Sequence, residues 1–209
     1  MKAPSERTRV RRAPARAAYE REVVDAILDD GFVCHLGFVD GAQPIVIPTL
    51  YARIGDHVYI HGSSASRAMR TARAGAPVCL TVTLVDGLVL ARSVFHHSVN
   101  YRSVVVFGEA AQVEGPEEKL RALEAFTEGL VRGRWGDARI PDRQELKATM
   151  VLRLALDEAS AKVRTGPPLD REDDYARDTW AGVVPLALER GEPLADERLR
   201  DGIPLPTYL

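Results

Sequence analysis

The stretch Val58-Tyr59-Ile60-His61-Gly62-Ser63-Ser64-Ala65-Ser66-Arg67-Ala68-Met69-Arg70 decides how this chain is read. It opens with the alternation of a strand, passes through a glycine and three serines, and closes as an amphipathic helix carrying two arginines. A strand running through small polar residues into a helix start gathers free backbone N–H groups, hydroxyls and a guanidinium in one place. Such a cluster suits a phosphate monoester. The same residues also describe a capped helix that follows a strand, with Ser63, Ser64 or Ser66 at the cap. The surrounding chain has to separate these readings.

Its 209 residues fit one large domain, and 45% hydrophobic with 28% charged residues is ordinary globular composition. A net charge of −2 argues against broad attraction to nucleic acid or to an anionic membrane. No apolar run approaches the ~20 residues that cross a bilayer. Residues 7–16 carry five arginines without an apolar core, so 1–16 reads as a basic arm on a cytoplasmic protein, either solvated or folded over an anionic ligand or partner. Cys34 and Cys79 fall in apolar runs and read as buried thiols.

Residues 17–29 place Val23, Val24, Ile27 and Leu28 at helical spacing, and Asp30-Gly31 closes that helix. A meander follows: Phe32 to Phe38, a turn at Asp40-Gly41, Pro44 to Leu50 with a break at Pro48, Tyr51 to Ile54, a turn at Gly55-Asp56, and His57 to His61. Two prolines cannot both sit in a central ladder, so part of that strand should face an edge, a bulge or a ligand. Pro77 to Leu84 is a strand, Asp86-Gly87 reads as a hairpin turn, and Tyr101 to Gly108 is another strand. Glu117 to Val131 is a charged amphipathic helix, and Gly133-Arg134-Trp135-Gly136 reads as a loop. Met150 to Leu156 is a last strand, and 159–209 reads as an extended tail laid on the barrel or on a partner subunit. Short strands with glycine turns and no βαβ alternation make this a mainly β, α+β fold: a barrel or a sandwich over 17–158 with helices at its rim.

The familiar catalytic motifs are missing. There is no Gly-x-Ser-x-Gly elbow, no Gly-x-Gly-x-x-Gly and no Walker loop, and the five histidines lack metal-ligand spacing. Beyond the opening stretch, only Asn100-Tyr101-Arg102-Ser103 places polar residues at the head of a buried-type strand. A salt bridge with edge hydrogen bonds explains it as well as a ligand does.

Taken in order, several segments resemble the pyridoxamine-phosphate-oxidase-like split β-barrel flavoproteins, in the flavin-nucleotide-binding branch that includes the nitroimidazole-resistance proteins. The segments are Cys34 to Phe38, Pro44 to Thr49, Val58 to Arg67, Asn100 to Gly108 and Ser160 to Gly166. The resemblance implies a homodimer with FMN in a cleft between two barrels. It sets Pro48 and Thr49 along the isoalloxazine ring. Gly62, Ser63, Ser66 and Arg67 fall at the ribityl phosphate, and Tyr101, Arg102 and Ser103 line the cleft. His61 falls beside the ring as the residue expected to touch substrate. Trp180 and Arg164 fall where they would reach the partner's cofactor. A basic tail of the Arg-Leu-x-Pro type, which the oxidases use to hold a substrate phosphate, has no counterpart near Leu209. Two functions follow from the resemblance. One is an FMN-dependent oxidoreductase taking electrons from a reduced nicotinamide and passing them to a small acceptor such as a nitro-aromatic. The other is a flavin- or haem-binding module without turnover.

Overall fold

The structure is a computed structural model and describes residues 2–209. β1 (Ala17–Ala18) leads into α1 (Arg21–Asp30), where Val24, Ile27 and Leu28 share one buried face. Tyr51 donates its hydroxyl to the Leu28 carbonyl at 2.6 Å, meeting an acceptor that the helix end would otherwise leave unpaired. Gly31 is required beside it, since a Cβ there would lie 2.6 Å from that hydroxyl oxygen.

β2 (Val33–Asp40), β3 (Gln43–Ile54) and β4 (His57–Ser63) form the expected meander, with Gly41 and Gly55 turning at φ 61° and 56°. α2 (Arg67–Arg73), β5 (Pro77–Leu90), β6 (Ser98–Glu109) and β7 (Ala111–Gln112) follow. Pro116 opens α3 (Pro116–Leu130), ahead of α4 (Arg134–Asp137) and α5 (Arg143–Ala148). A capping box of Asp142 and Glu145 starts α5. The chain closes with β8 (Thr149–Ala155), β9 (Ala159–Arg164) and β10 (Gly182–Pro185).

The ladders run β5-β2-β3-β4-β8-β7, and β7 continues β6 after the single residue Ala110 while β6 pairs β5. The path therefore returns to its start, which makes a closed barrel. Inside it pack Leu36, Val58, Ile60, Leu80, Val82, Val104, Val106 and Leu152, with α1 and α2 adding Leu28 and Met69 to the same core. Side chains alternate along a strand. Thus Ala52, Tyr59 and Val151 emerge outside and form a second core with Ala122 and Phe126 of α3.

Several details differ from the sequence reading. β3 runs unbroken through Pro48 because that part of the strand pairs only β2 and needs no second ladder. Asp86-Gly87 is not a hairpin turn; β5 passes through it with a bulge between Val85 and Gly87. Glycine is required there by close approach of β10, whose Val184 oxygen would lie 3.0 Å from an added Cβ. Gly133-Arg134-Trp135-Gly136 is the start of α4 rather than a loop. The sheet does not stop at 158: β9 pairs β6 and β1, with Ala159, Ser160 and Ala161 buried. Cys34 is sealed in the core, whereas Cys79 is only half-buried. The arm lies on its own barrel, with Thr8 2% exposed, Ser5 bonded to Glu158, and Arg7 5.6 Å over the Phe107 ring.

Replacing Tyr51 with Phe removes only the hydroxyl and leaves the buried Leu28 carbonyl unpaired. Stability should fall by about 1–2 kcal/mol in urea unfolding. An unchanged midpoint would show that water satisfies the carbonyl and that the helix end does not depend on Tyr51.

Candidate functional site

β3 and β4 pair only from Tyr51 to Ile54 against His57 to Ile60. Beyond that point they part. Residues 43–50 keep β2 alone as neighbour, and residues 61–63 keep β8 alone. The parting leaves a strip of backbone N–H and C=O groups along one side of β3 without a strand partner. Pro44 and Pro48 sit on this segment, where their missing N–H groups cost no second ladder. Ile45 and Ile47 turn inward onto the core, while Val46 stands outward and 66% exposed. Thr49 lies at the inner end of the open strip.

β4 enters α2 beside this gap. Gly62 brings the strand close to the helix, since a Cβ there would meet Met69 Cγ at 3.0 Å. Ser63 is used by the turn: its hydroxyl accepts from Ala65 N at 3.2 Å and its carbonyl from Ser66 N at 2.9 Å. Ser66 is the residue at the helix cap, yet its side chain makes no capping bond. The Arg67 side chain is 64% exposed, and its one ion-pair partner among the described residues is Asp40, 3.6 Å away. Ser66 and Arg67 therefore stand largely uncommitted at one end of the gap.

His61 belongs to the opposite face of β4. Its ring packs on Phe126 at 4.3 Å between centroids and lines a cavity of about 410 Å³ under α3 and α4. Nδ1 is buried without a partner, a condition that costs about 1–3 kcal/mol in general. Burial lowers the pKa of the imidazole and so favours its neutral form. Sequence reasoning gave His61 and its neighbours Gly62 and Ser63 to one flavin cleft, His61 at the ring and the others at the phosphate, and consecutive strand residues point apart.

The remaining expected residues are placed elsewhere in the chain. β6 is separated from β3 by β5 and β2, so Tyr101, Arg102 and Ser103 do not join the gap within one chain. Arg102 is committed to two carboxylates: Nη2 donates to Asp86 at 2.9 Å and Nη1 to Asp30, which raises its pKa further. This is the salt-bridge reading of the polar strand head rather than the ligand one. The Ser103 hydroxyl donates to the Lys162 carbonyl at 3.3 Å, and Tyr101 pairs Arg164 across the ladder. Arg164 is 6% exposed and donates to Asn100 and to the Gly166 and Pro167 carbonyls, tying β9 to the tail rather than reaching outward. Trp180 is 66% exposed, its ring lying over Gly182 at the start of β10.

What sequence reasoning missed is the cavity under α3. Its apolar stripe of Leu123, Phe126 and Leu130 was legible, but nothing local said that the stripe would roof over His61. Among the described residues no group of three or more His, Cys, Asp or Glu side chains could hold a metal ion by itself, and no helix is long and apolar enough to cross a membrane.

Comparison with known proteins agrees with this fold. The family model described as pyridoxamine 5'-phosphate oxidase matches residues 20–163. Among solved structures, the flavocytochrome Anf3 from Azotobacter vinelandii is 43% identical, covering 100% of this chain and 97% of that one at TM-score 0.94. A FAD and haem binding protein from Mycobacterium smegmatis is 37% identical, covering 92% of this chain and 95% of that one at TM-score 0.88. A putative 5-nitroimidazole antibiotic resistance protein from Bacteroides thetaiotaomicron shares the fold, at 20% identity, coverage of 70% and 86%, and TM-score 0.60. Among curated proteins, none matches the sequence.

The two arginines singled out from sequence should behave oppositely on substitution. Arg102→Met removes a guanidinium that bridges two carboxylates and should lower stability by about 1 kcal/mol. Arg67→Met should change it by less than about 0.5 kcal/mol, as exposed positions do. Equal losses in parallel denaturant titrations would mean that Arg67, too, is a structural residue.

Proposed function

Because the chain belongs to the pyridoxamine 5'-phosphate oxidase family, we propose that it is a flavin-binding oxidoreductase whose cofactor lies along the open strip of β3. The observation that carries this reading is the loss of β3–β4 pairing, which leaves backbone donors and acceptors beside Pro48 and Thr49 without partners. A flavin's ring edge, with its carbonyls and ring nitrogens, is a planar match for such a strip. The neighbouring Gly62, Ser63, Ser66 and Arg67 then serve the phosphate end. Asp40 competes weakly for Arg67, since a 3.6 Å exposed pair is easily exchanged for a phosphate.

When bound, the flavin supplies hydride and single-electron chemistry, and the protein supplies binding, orientation and the polarity around the ring. The sequence resemblance implied FMN; the FAD and haem binding relative, 37% identical, favours FAD. Electrons enter from a reduced nicotinamide and leave to a small acceptor, with nitro-aromatics among the candidates. The working unit is a homodimer, in which the partner brings Tyr101, Ser103 and Trp180 towards the cleft. Exposed Val94, Phe95 and Trp180, at 89%, 86% and 66%, favour such an assembly.

Haem is a second cofactor in this reading, for two reasons. The relatives at 43% and 37% identity are a flavocytochrome and a FAD and haem binding protein. In this chain, an apolar cavity lined by the His61 imidazole fits such a group.

Purified protein should be yellow and should release a flavin on denaturation, which chromatography identifies as FAD or FMN. Arg67→Ala should weaken its binding by about 1.5–3 kcal/mol, the scale of a hydrogen bond to a charged group. Anaerobic bleaching by NADH or NADPH separates an enzyme from a carrier. Protein that is colourless and takes up neither nucleotide sinks the flavin reading. Light scattering should give twice the 23.0 kDa chain mass, and a monomer with full flavin content would contradict the shared cleft.

A further inference from the structure

The cavity beneath α3 is not needed by a flavin on the edge of β3, and its chemistry differs from that site's. Its floor is Leu50 and His61, on the outer faces of β3 and β4. Its walls are Phe126 and Leu130 of α3 and Trp135 of α4. Among the described residues His61 has no hydrogen-bond partner: Nδ1 is sealed without one, and Nε2 is the nitrogen left accessible. The sealed Nδ1 cannot reach the cavity, so it is Nε2 that is free to take a ligand there.

We propose, resting on the haem reading above, that this cavity seats a haem and that His61 is the axial ligand of its iron. A neutral imidazole is a common proximal ligand for haem iron, and β4 holds this one rigidly. The cavity's ~410 Å³ falls within the range of cofactor pockets. A haem also carries two propionates, which have to emerge beside positive charge. Arg134 and Arg139 stand at that position in the cavity wall. Arg134 pairs with Asp137 at 3.2 Å and donates to the Tyr208 hydroxyl at 3.2 Å, while Arg139 pairs with Glu145 at 2.6 Å and donates to the Ile140 carbonyl at 3.1 Å; all are exposed contacts that a propionate can replace. Within one chain no second His, Cys or Met lines the cavity, so the far side of the iron is open to an added ligand. The other histidines fit the role less well. His97 Nδ1, for example, lies 3.1 Å from the Ser93 carbonyl and 3.4 Å from Ala91 N.

The test titrates full-length, flavin-loaded protein with hemin and follows the Soret band, with His61→Gly, Leu130→Trp and His96→Ala in parallel. Wild type and His96→Ala should bind one haem per chain, and the reduced complex should take up carbon monoxide. His61→Gly should bind at least about tenfold more weakly, the lower end of losses when a metal site is weakened. Added imidazole should restore its wild-type spectrum, which a merely structural role would not allow. Leu130→Trp fills the cavity from its exposed edge and should block binding with His61 intact. Retained flavin shows that each variant is folded. Wild-type affinity and spectrum in both His61→Gly and Leu130→Trp would place the haem elsewhere and overturn this assignment while leaving the haem reading standing. Flavin-loaded wild type that binds no hemin would overturn the haem reading itself, and this assignment with it.

Discussion

The structure turns on backbone hydrogen-bond accounting at one place, the parting of β3 from β4. A barrel strand ordinarily satisfies a neighbour on each side, and β3 does so only over its last four residues. Two prolines in the other part make a second full ladder impossible, so the opening is written into the covalent chemistry of the strand. Inward-facing Ile45 and Ile47 hold this half-paired segment to the core. α2, buried through Ala68, Met69 and Ala72, closes the barrel interior where the ladder stops. The residues that make the opening and the residues that seal it are thus different sets, and a ligand can occupy the edge without entering the core.

Much of this was legible in the sequence because it is local. The glycine turns at 41 and 55, the stripe on α1 and the prolines of β3 each declare their geometry within a few residues. What was not legible depends on distant partners. Asp86-Gly87 has the composition of a turn, but here the glycine serves close packing of β10, almost a hundred residues later. Arg102 heads a buried strand, where a salt bridge and a ligand explained it equally well; its two carboxylates come from α1 and β5, and no spacing rule brings them together. β9 was taken for the beginning of a tail because six residues carry little periodic signal, while its burial comes from β6.

The site itself was half legible for a similar reason. Gly62, Ser63, Ser66 and Arg67 were correctly read as the passage from a strand into a short helix, and the opening was foreseen from Pro44 and Pro48. The division between His61 and Gly62 follows from strand alternation alone. What hid it was the absence of any sequence mark for what stands on the outer face. That face is covered by α3, whose Phe126 lies more than sixty residues beyond His61. A residue's type suggested a ligand; only the fold says which side the ligand approaches from.

This two-sidedness bears on how one small barrel could hold two redox groups. β3 presents Thr49 at the open edge and Leu50, the next residue, to the cavity under α3. β4 likewise sends Gly62 towards α2 and His61 towards α3. A planar group on the edge and another in the cavity would be separated by strand backbone and a few side chains, without sharing a contact surface. The polar edge suits a hydrogen-bonding ring, and the apolar cavity suits a macrocycle held by one imidazole. Because residues of both kinds alternate along the same two strands, a change in the pairing of β3 with β4 would alter both sites together.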